Sequence, residues 1–332
     1  MKKVTFSFFS SLPLVFLILI FFVACTHYGF FWGQFGENDV DERSPRLNDF
    51  NSLAPDLASQ KPQVSSVYSV LLFTDVHYGS KREDIDEKAF LSWLESYFEA
   101  NYLSSPEKLP RFALNLGDTA DSGLRKEFED YVRFENRVKA LAGKYLYGEE
   151  EDLEPGERKF RIYSILGNHD LYHDGSPHFE ELLFPFKSSY YFSIDADSNP
   201  ETGAFSFYFL DTANGCTGTS QLDDFKEKIE KDTNPKIVCT HYPVYAGGTN
   251  LFMILQNTLE RNTLLTYFAE NNVRLVFEGH AHSNYGFSYG SRFREDVIGS
   301  LRFSSRDEKQ CAIFTVNESE GKITTEIIKA VW

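Results

Sequence analysis

From residue 67 onward, short apolar runs rich in β-branched and aromatic residues alternate with stretches of helical period. Val67 to Phe73 stops at Thr74-Asp75-Val76-His77, and Phe112 to Leu116 stops at Gly117-Asp118. Arg161 to Leu166 stops at Gly167-Asn168-His169-Asp170, Ile237 to Thr240 at His241, and Val273 to Phe277 at Glu278-Gly279-His280-Ala281-His282. Runs of this length bounded by turn residues predict buried strands. Between them, Asp84 to Phe98 repeats Ile85, Ala89, Trp93, Tyr97 and Phe98, and Leu124 to Leu141 repeats Leu124, Phe128, Tyr131, Val138 and Leu141. After Ser220, read as a helix cap, Leu222, Phe225 and Ile229 keep the same spacing. Alternating strands and helices predict a layered α/β fold.

Each of the five runs delivers Asp, Asn or His directly after its last apolar residue. Ligands of open α/β sheets bind beyond the carboxyl ends of the strands. Two carboxylates, an amide and several imidazoles gathered at one sheet edge need cations to be electrostatically satisfied. One histidine after a strand, or one Gly-Asp, is ordinary turn chemistry. The ordered series DxH, GD, GNHD, H and GHxH is not, and it points to a metal centre.

The chain starts with Lys2 and Lys3, followed by the apolar stretch Leu12 to Ala24 and then Cys25. This layout is that of a secretory signal peptide, and its end resembles the lipobox of bacterial lipoproteins, with Phe22 where Leu is usual. The resemblance implies residues 1–24 as signal peptide and lipidation of Cys25. An uncleaved anchor over Phe6 to Ala24 and a simple secretory signal are the competing readings. Residues 26–66, with Gly29, Gly33 and Gly36 and no sustained period, are expected to form a tether. Within them, Tyr28, Phe30, Phe31, Trp32 and Phe35 suit either the membrane interface or packing on the domain. Residues 67–332 are then expected to form the folded part, exported and held outside the cytoplasm.

Composition changes this picture little. Apolar residues make up 42% of the chain and aromatics 16%, ample for a core. A net charge of −16 opposes a broad electrostatic grip on nucleic acid. It leaves a phosphate substrate open, because bound cations would dominate the field within a site. Cys216, Cys239 and Cys311 match no zinc ribbon, and Cys239 and Cys311 read as buried thiols.

The motif series resembles the calcineurin-like metallophosphoesterase superfamily, from about residue 68 to the C-terminus. Softer features agree, among them Phe209-Leu210-Asp211-Thr212 and the Gln221-Leu222 helix start before Thr240-His241-Tyr242-Pro243. The resemblance implies a four-layer αββα sandwich of two mixed β-sheets flanked by helices, with a di-metal site at the strand C-terminal ends. Strand-like runs at 190–194, 205–210, 312–316 and 323–328 fit it. By the same resemblance Asp75, His77 and His282 would hold one metal, Asn168, His241 and His280 the other, and Asp118 would bridge them. The cofactor would be two divalent ions, with Mn, Fe, Zn and Co all compatible with the donor set.

The activity implied is hydrolysis of a phosphoric ester by a metal-bridging hydroxide, with His169 protonating the leaving group and Asp121 orienting His169. Ser122 stands where protein serine/threonine phosphatases carry Arg, and Asp121 where purple acid phosphatases carry Tyr. Too few residues follow His282 for the extra C-terminal domain of the 5′-nucleotidases. Small phosphorylated molecules are therefore the expected substrates, as diesters or monoesters. A surface lipoprotein that keeps the fold only to bind, and an extracellular nuclease, are the rivals. Tyr78, His173, His178 and Tyr242 flank the motifs and read as packing or solvent residues, and the Gly-rich 246–249 segment as a mobile rim.

Overall fold

The computed structural model describes residues 37–50, 66–80, 86–148, 159–194, 205–248, 253–302 and 309–329. The expected signal peptide, Cys25 and the aromatic cluster at 28–35 lie outside them. Its core is built on strands that bury both faces. In β2 (Val67–Phe73), Tyr68, Val70 and Leu72 enter one apolar cluster while Leu71 and Phe73 enter another. In β6 (Phe205–Phe209), Phe207 and Phe209 face the first of these clusters and Tyr208 faces a third. Successive side chains point to opposite faces of a strand, so such sequences read as continuous apolar runs.

Two mixed sheets result. The five-stranded sheet has the order β12-β11-β2-β3-β4, with β3 at Pro110–Asn115, β4 at Ile162–Ser164, β11 at Gln310–Asn317 and β12 at Lys322–Lys329. The seven-stranded sheet has the order β1-β5-β6-β7-β8-β10-β9. Its remaining strands are β1 (Asn48–Asp49), β5 (Tyr190–Ile194), β7 (Lys236–Cys239), β8 (Val273–Glu278), β9 (Tyr285–Ser288) and β10 (Arg294–Val297). The sheets pack face to face through aromatics such as Phe112 against Phe207, at 5.8 Å between ring centroids. Helices α2 (Glu87–Tyr102) and α3 (Arg125–Tyr147) cover the smaller sheet through Phe90, Leu94, Phe128 and Val138. Helices α5 (Thr219–Lys231) and α6 (Thr258–Glu270) cover the larger one through Phe225, Ile229, Leu264 and Phe268. This is the expected αββα sandwich.

Three expectations change. Part of the expected tether is folded: residues 37–43 form α1 (Glu37–Arg43), and β1 pairs in parallel with β5. Val40 and Leu47 are buried there, and apolar surface of this kind is not left in water. Ser220 does not cap α5. Gly218 precedes that helix with φ 70°, and the Ser220 amide donates instead to Asp41 Oδ1 of α1 at 2.7 Å. Helix α6 was not anticipated, because its apolar residues lack a clear stripe. Its start is nevertheless written in the sequence, since Asn257 accepts from the Leu259 and Glu260 amides at 3.0 and 3.3 Å.

Segment 37–50 is tied on by a buried ion pair. Arg43 Nε and Nη2 donate to the two oxygens of Asp211 at 2.7 and 3.0 Å, and Asp211 is fully buried. Removing the guanidinium would strand a buried carboxylate, which costs roughly 3 kcal/mol. Arg43→Ala should lower the urea midpoint accordingly with m unchanged. A loss under about 0.5 kcal/mol, the usual range of a surface substitution, would show that the strap is not part of the fold.

Candidate metal centre

The sequence-predicted metal ligands and His169 lie beyond the carboxyl ends of strands. Asp75 and His77 follow β2, Asp118 follows β3, Asn168 and His169 follow β4, His241 follows β7, and His280 and His282 follow β8. The two sheets meet at this edge, so each contributes part of the cluster. Five of these residues adopt left-handed backbone: Asp75 (φ 54°), His77 (49°), Asp118 (51°), His280 (64°) and His282 (50°). Such conformations are uncommon and unfavourable for non-glycine residues, and they gather where a site over-determines them. They also explain the DxH and GHxH spacing, since each left-handed residue turns its side chain away from the strand alternation.

Hydrogen bonds continue past the strand ends and lock the loops together. Asp75 N donates to Gly117 O and His77 N to Asp118 O, both at 2.9 Å. Gly279 N donates to His241 O at 3.0 Å. Gly117 and Gly167 let the GD and GNHD loops touch, because a Cβ on Gly167 would overlap the Asp118 amide and carboxylate. The Asp170 carboxylate completes this join by accepting from Ala120 N at 2.8 Å and Gly167 N at 2.9 Å. Burial, followed by the Asp118 charge, pushes its pKa up to about 7 despite these donors.

Besides a group of His77, Asp121 and His169, the candidate ligand atoms form two groups that share Asp118. One is Asp75, His77, Asp118 and His282, and the other Asp118, His241 and His280, each with its atoms within 4.8 Å of one another. His282 Nε2 lies 3.1 Å from Asp75 Oδ1 and 3.1 Å from His77 Nε2. Asn168 Oδ1 lies 3.1 Å from His241 Nε2. Asp118 Oδ2 stands between the groups, 3.6 Å from His77 Nε2 and 3.4 Å from His241 Nε2. Donors that share one small divalent ion at about 2.0–2.2 Å lie roughly 3 to 3.5 Å apart, so the set fits such ions. Asp75 Oδ1 adds to this fit, being buried without a hydrogen-bond partner. His241 is also oriented: its Nδ1 meets Leu116 O at 2.8 Å, which leaves Nε2 for the site. The Tyr242 ring packs against His280, tilted by 31° with centroids 3.8 Å apart.

His169 sits beside this set, 4.5 Å from the His77 ring, with Nδ1 2.7 Å from the Asp121 backbone carbonyl. Asp121 thus reaches His169 through its backbone. The carboxylate of Asp121 does not bond to His169; Oδ1 lies 3.3 Å from His77 Nδ1 and 3.3 Å from Arg302 Nη1. Arg302 was not anticipated, since no motif marks it. It is brought in by residues 298–302, where Ser300 Oγ donates to Asp75 O at 2.8 Å and Leu301 N to Thr74 O at 3.0 Å. Tyr78 packs on Tyr131, and His173 Nδ1 meets Ser122 O at 2.8 Å; His178 lies on α4 (Ser176–Leu182), away from the ligand groups. The expected mobile rim is clamped over its described part, because Glu295 accepts from the Tyr245 and Ala246 amides. Cys216, Cys239 and Cys311 are buried.

A two-sheet sandwich with carboxylates and imidazoles gathered across the seam is the architecture of a metal-centred hydrolase. The chain belongs to the calcineurin-like phosphoesterase family, whose model matches residues 68–284. Members of this family hydrolyse phosphoesters with two divalent metals, and the clusters here are candidate ligands for them. Comparison with curated proteins finds no match. Among solved structures, a dimetal phosphatase from Danio rerio is similar at 12% identity and TM-score 0.50, over 78% of this chain and 98% of its own. GAP50, the anchor in the inner membrane complex of Plasmodium, is similar at 14% and 0.53, over 79% of this chain and 84% of its own. A purple acid phosphatase from yellow lupin (Lupinus luteus) is similar at 12% and 0.51, over 81% of this chain and 55% of its own. At these identities the likeness establishes the fold.

Without metal, protons take over part of the cations' electrostatic role. Burial opposes the charge on His77, but Asp121, Asp75 and Asp118 outweigh it and raise its pKa to about 10. Burial likewise opposes the charge on His241, and Asp118 and Asp75 raise it to about 9. Burial and the neighbouring His241 drive His280 down to about 3. A histidine whose folded pKa is raised contributes stability that is complete below its unfolded value of 6.5 and lost as pH rises through its folded value. The chelated protein should therefore melt progressively lower between pH 7 and 10, while the Mn²⁺-loaded protein resists this loss. Metal binding at pH 7 should release protons, measurable by calorimetry in buffers of different ionisation enthalpy. No proton release, with parallel melting curves, would count against these histidines as ligands.

Proposed function

We propose that this protein is an extracytoplasmic phosphoesterase acting on small phosphorylated molecules, as diesters or monoesters. Asp75, His77 and His282 hold one divalent ion, Asn168, His241 and His280 hold a second, and Asp118 bridges them. The observation that carries this reading is the position of Asp118 Oδ2 between His77 and His241, because a carboxylate can serve two cations at once while imidazole serves one. When bound, the ions supply Lewis acidity to the phosphoryl oxygens and lower the pKa of the attacking water.

The chain's own residues do the rest. Asp118 Oδ1 accepts the His169 backbone amide at 2.7 Å, which fixes the histidine's loop to the bridging carboxylate. The Asp121 carbonyl holds Nδ1 of His169, so Nε2 is the nitrogen that passes a proton to the leaving oxygen. His169 is thus a proton donor rather than a metal ligand. Asp121 supports catalysis twice over, with its carbonyl toward His169 and its carboxylate toward His77.

The test is turnover of bis-p-nitrophenyl phosphate and p-nitrophenyl phosphate by the full chain after chelation and reconstitution with Mn²⁺. Turnover is expected with metal and should be abolished by Asp118→Asn; activity on neither ester with any divalent ion defeats the reading. His169→Ala should lower kcat by about 10² to 10⁴ while two metals remain bound. Metal loss in that variant, seen by elemental analysis, would show that His169 is a ligand after all.

The anchoring belongs to the same proposal and rests on the Lys2, Lys3, Leu12–Ala24 and Cys25 pattern. Among the described residues no helix is long and apolar enough to cross a membrane. Cells given labelled palmitate should label the wild type and not Cys25→Ala. Equal labelling of both would remove the lipid from the proposal.

A further inference from the structure

The two sheets differ in width, and the difference leaves an open slot at one edge of the sandwich. Phe277 of β8 packs on Phe314 of β11 at 4.7 Å between ring centroids. One strand further on, β10 lies beside β8 and β12 beside β11, and the five-stranded sheet ends there. The larger sheet continues to β9, which has no strand opposite it among the described residues. Toward this side β9 turns Gly286 and Ser288, both exposed, in register with Asp296 and Arg294 of β10. Alongside runs a groove of about 510 Å³, floored by Leu275 of the larger sheet and by Ile323 and Thr325 of β12. It lies far from the metal centre: Arg274 stands near the start of β8 and Gly279 just past its end, roughly 16 Å of strand apart.

Backbone and charge both say what the slot takes. Strand β12 is eight residues long and pairs only with β11, so among the described residues the N–H and C=O groups of its outer side are unclaimed. An unpaired edge of this length is a template for another strand. Arg274, Arg294 and Lys322 line the groove, against Asp296 as the single acid among its lining residues. Asp296 is already held by Arg294, whereas Arg274 and Lys322 have no hydrogen bond or ion pair among the described residues. The backbone also aims Arg274. Val273 lies opposite Lys236 and Leu275 opposite Ile237, so Arg274 is the extra residue of a bulge with no partner in β7. In a chain of net charge −16, two uncommitted cations beside an open strand edge favour an anionic partner.

We propose that this slot binds an extended acidic segment of a partner protein, which pairs with β12 as a sixth strand of the smaller sheet. Main-chain hydrogen bonds to β12 supply the pairing. Side chains turned toward the larger sheet meet Arg274 and Arg294, and Lys322 meets the end of the added strand. A second copy of this chain fits less well. In full antiparallel register Lys322 would face the Lys329 of a second β12, and like charges directly opposite are destabilising. The second copy's own β9 and β10 would also need the space that these strands already fill. Docking at this edge leaves the metal centre open at the other end of the strands.

The test uses the full chain and a labelled octapeptide alternating Glu and Val, read by fluorescence anisotropy and by hydrogen exchange of residues 322–329. The peptide should bind and slow exchange in that strand. Arg274→Glu combined with Lys322→Glu should weaken binding about tenfold or more, and the neutral pair Arg274→Gln with Lys322→Gln about threefold. Melting temperatures equal to the wild type's would show that both variants are folded. Methylating alternate amides of the peptide keeps its charge but removes strand pairing, and should abolish binding. Absence of binding, equal binding of an octapeptide alternating Lys and Val, or equal binding of the methylated peptide overturns the inference. Exchange of 322–329 that is fully slowed in the free chain would show that the chain fills its own slot, and also overturns it. Protection that instead grows with protein concentration, without peptide, would make a second copy the occupant and refute the acidic partner.

Discussion

The structure turns on bringing carboxylates and imidazoles together at the seam of two sheets, inside a chain whose net charge is −16. The arrangement is unfavourable in parts. Left-handed backbone costs about 1–3 kcal/mol per non-glycine residue, and five of the candidate ligands adopt it. Burial of Asp75 and Asp118 adds desolvation. The surroundings hold the site regardless, because the loops pair with each other beyond the strand ends and the glycines permit contact closer than any side chain would. Cations are the natural complement of a cluster built in this way.

What holds the loops is the packing beneath them. Alternate residues of the central strands feed separate apolar clusters, so each strand is gripped on both faces and its carboxyl end is placed accurately. The chain before the first long strand contributes as well. Arg43 pairs with Asp211, and the next residue, Thr212, accepts the His241 and Tyr242 amides through Oγ1 at 3.1 and 3.0 Å. A segment expected to be a tether thus ends one step from a candidate ligand, and the fold reaches back toward the N-terminal side of the chain.

Around the centre, the second layer divides its work. Backbone carbonyls of Leu116 and Asp121 orient His241 and His169, whereas the Asp121 carboxylate orients His77. One residue therefore supports both a candidate ligand and the candidate acid, through different atoms. The same carboxylate oxygen, Oδ1, also meets Arg302 Nη1 at 3.3 Å.

The sequence by itself determined the fold class and the candidate ligands, because both are local. A buried strand announces itself as an apolar run, and a ligand that follows it directly needs no knowledge of distant residues. Cap chemistry was equally local at Asn257, although α6 went unread for want of an apolar stripe. Only the tertiary structure decided the rest. The direction of the Asp121 carboxylate depends on where His77 and Arg302 lie, 44 and 181 residues away. The amide of Ser220 finds its acceptor in Asp41, 179 residues earlier. The strap through Arg43 joins residues 168 apart. Contacts across such separations leave no period or spacing in the chain; they exist only once two sheets have closed on one another.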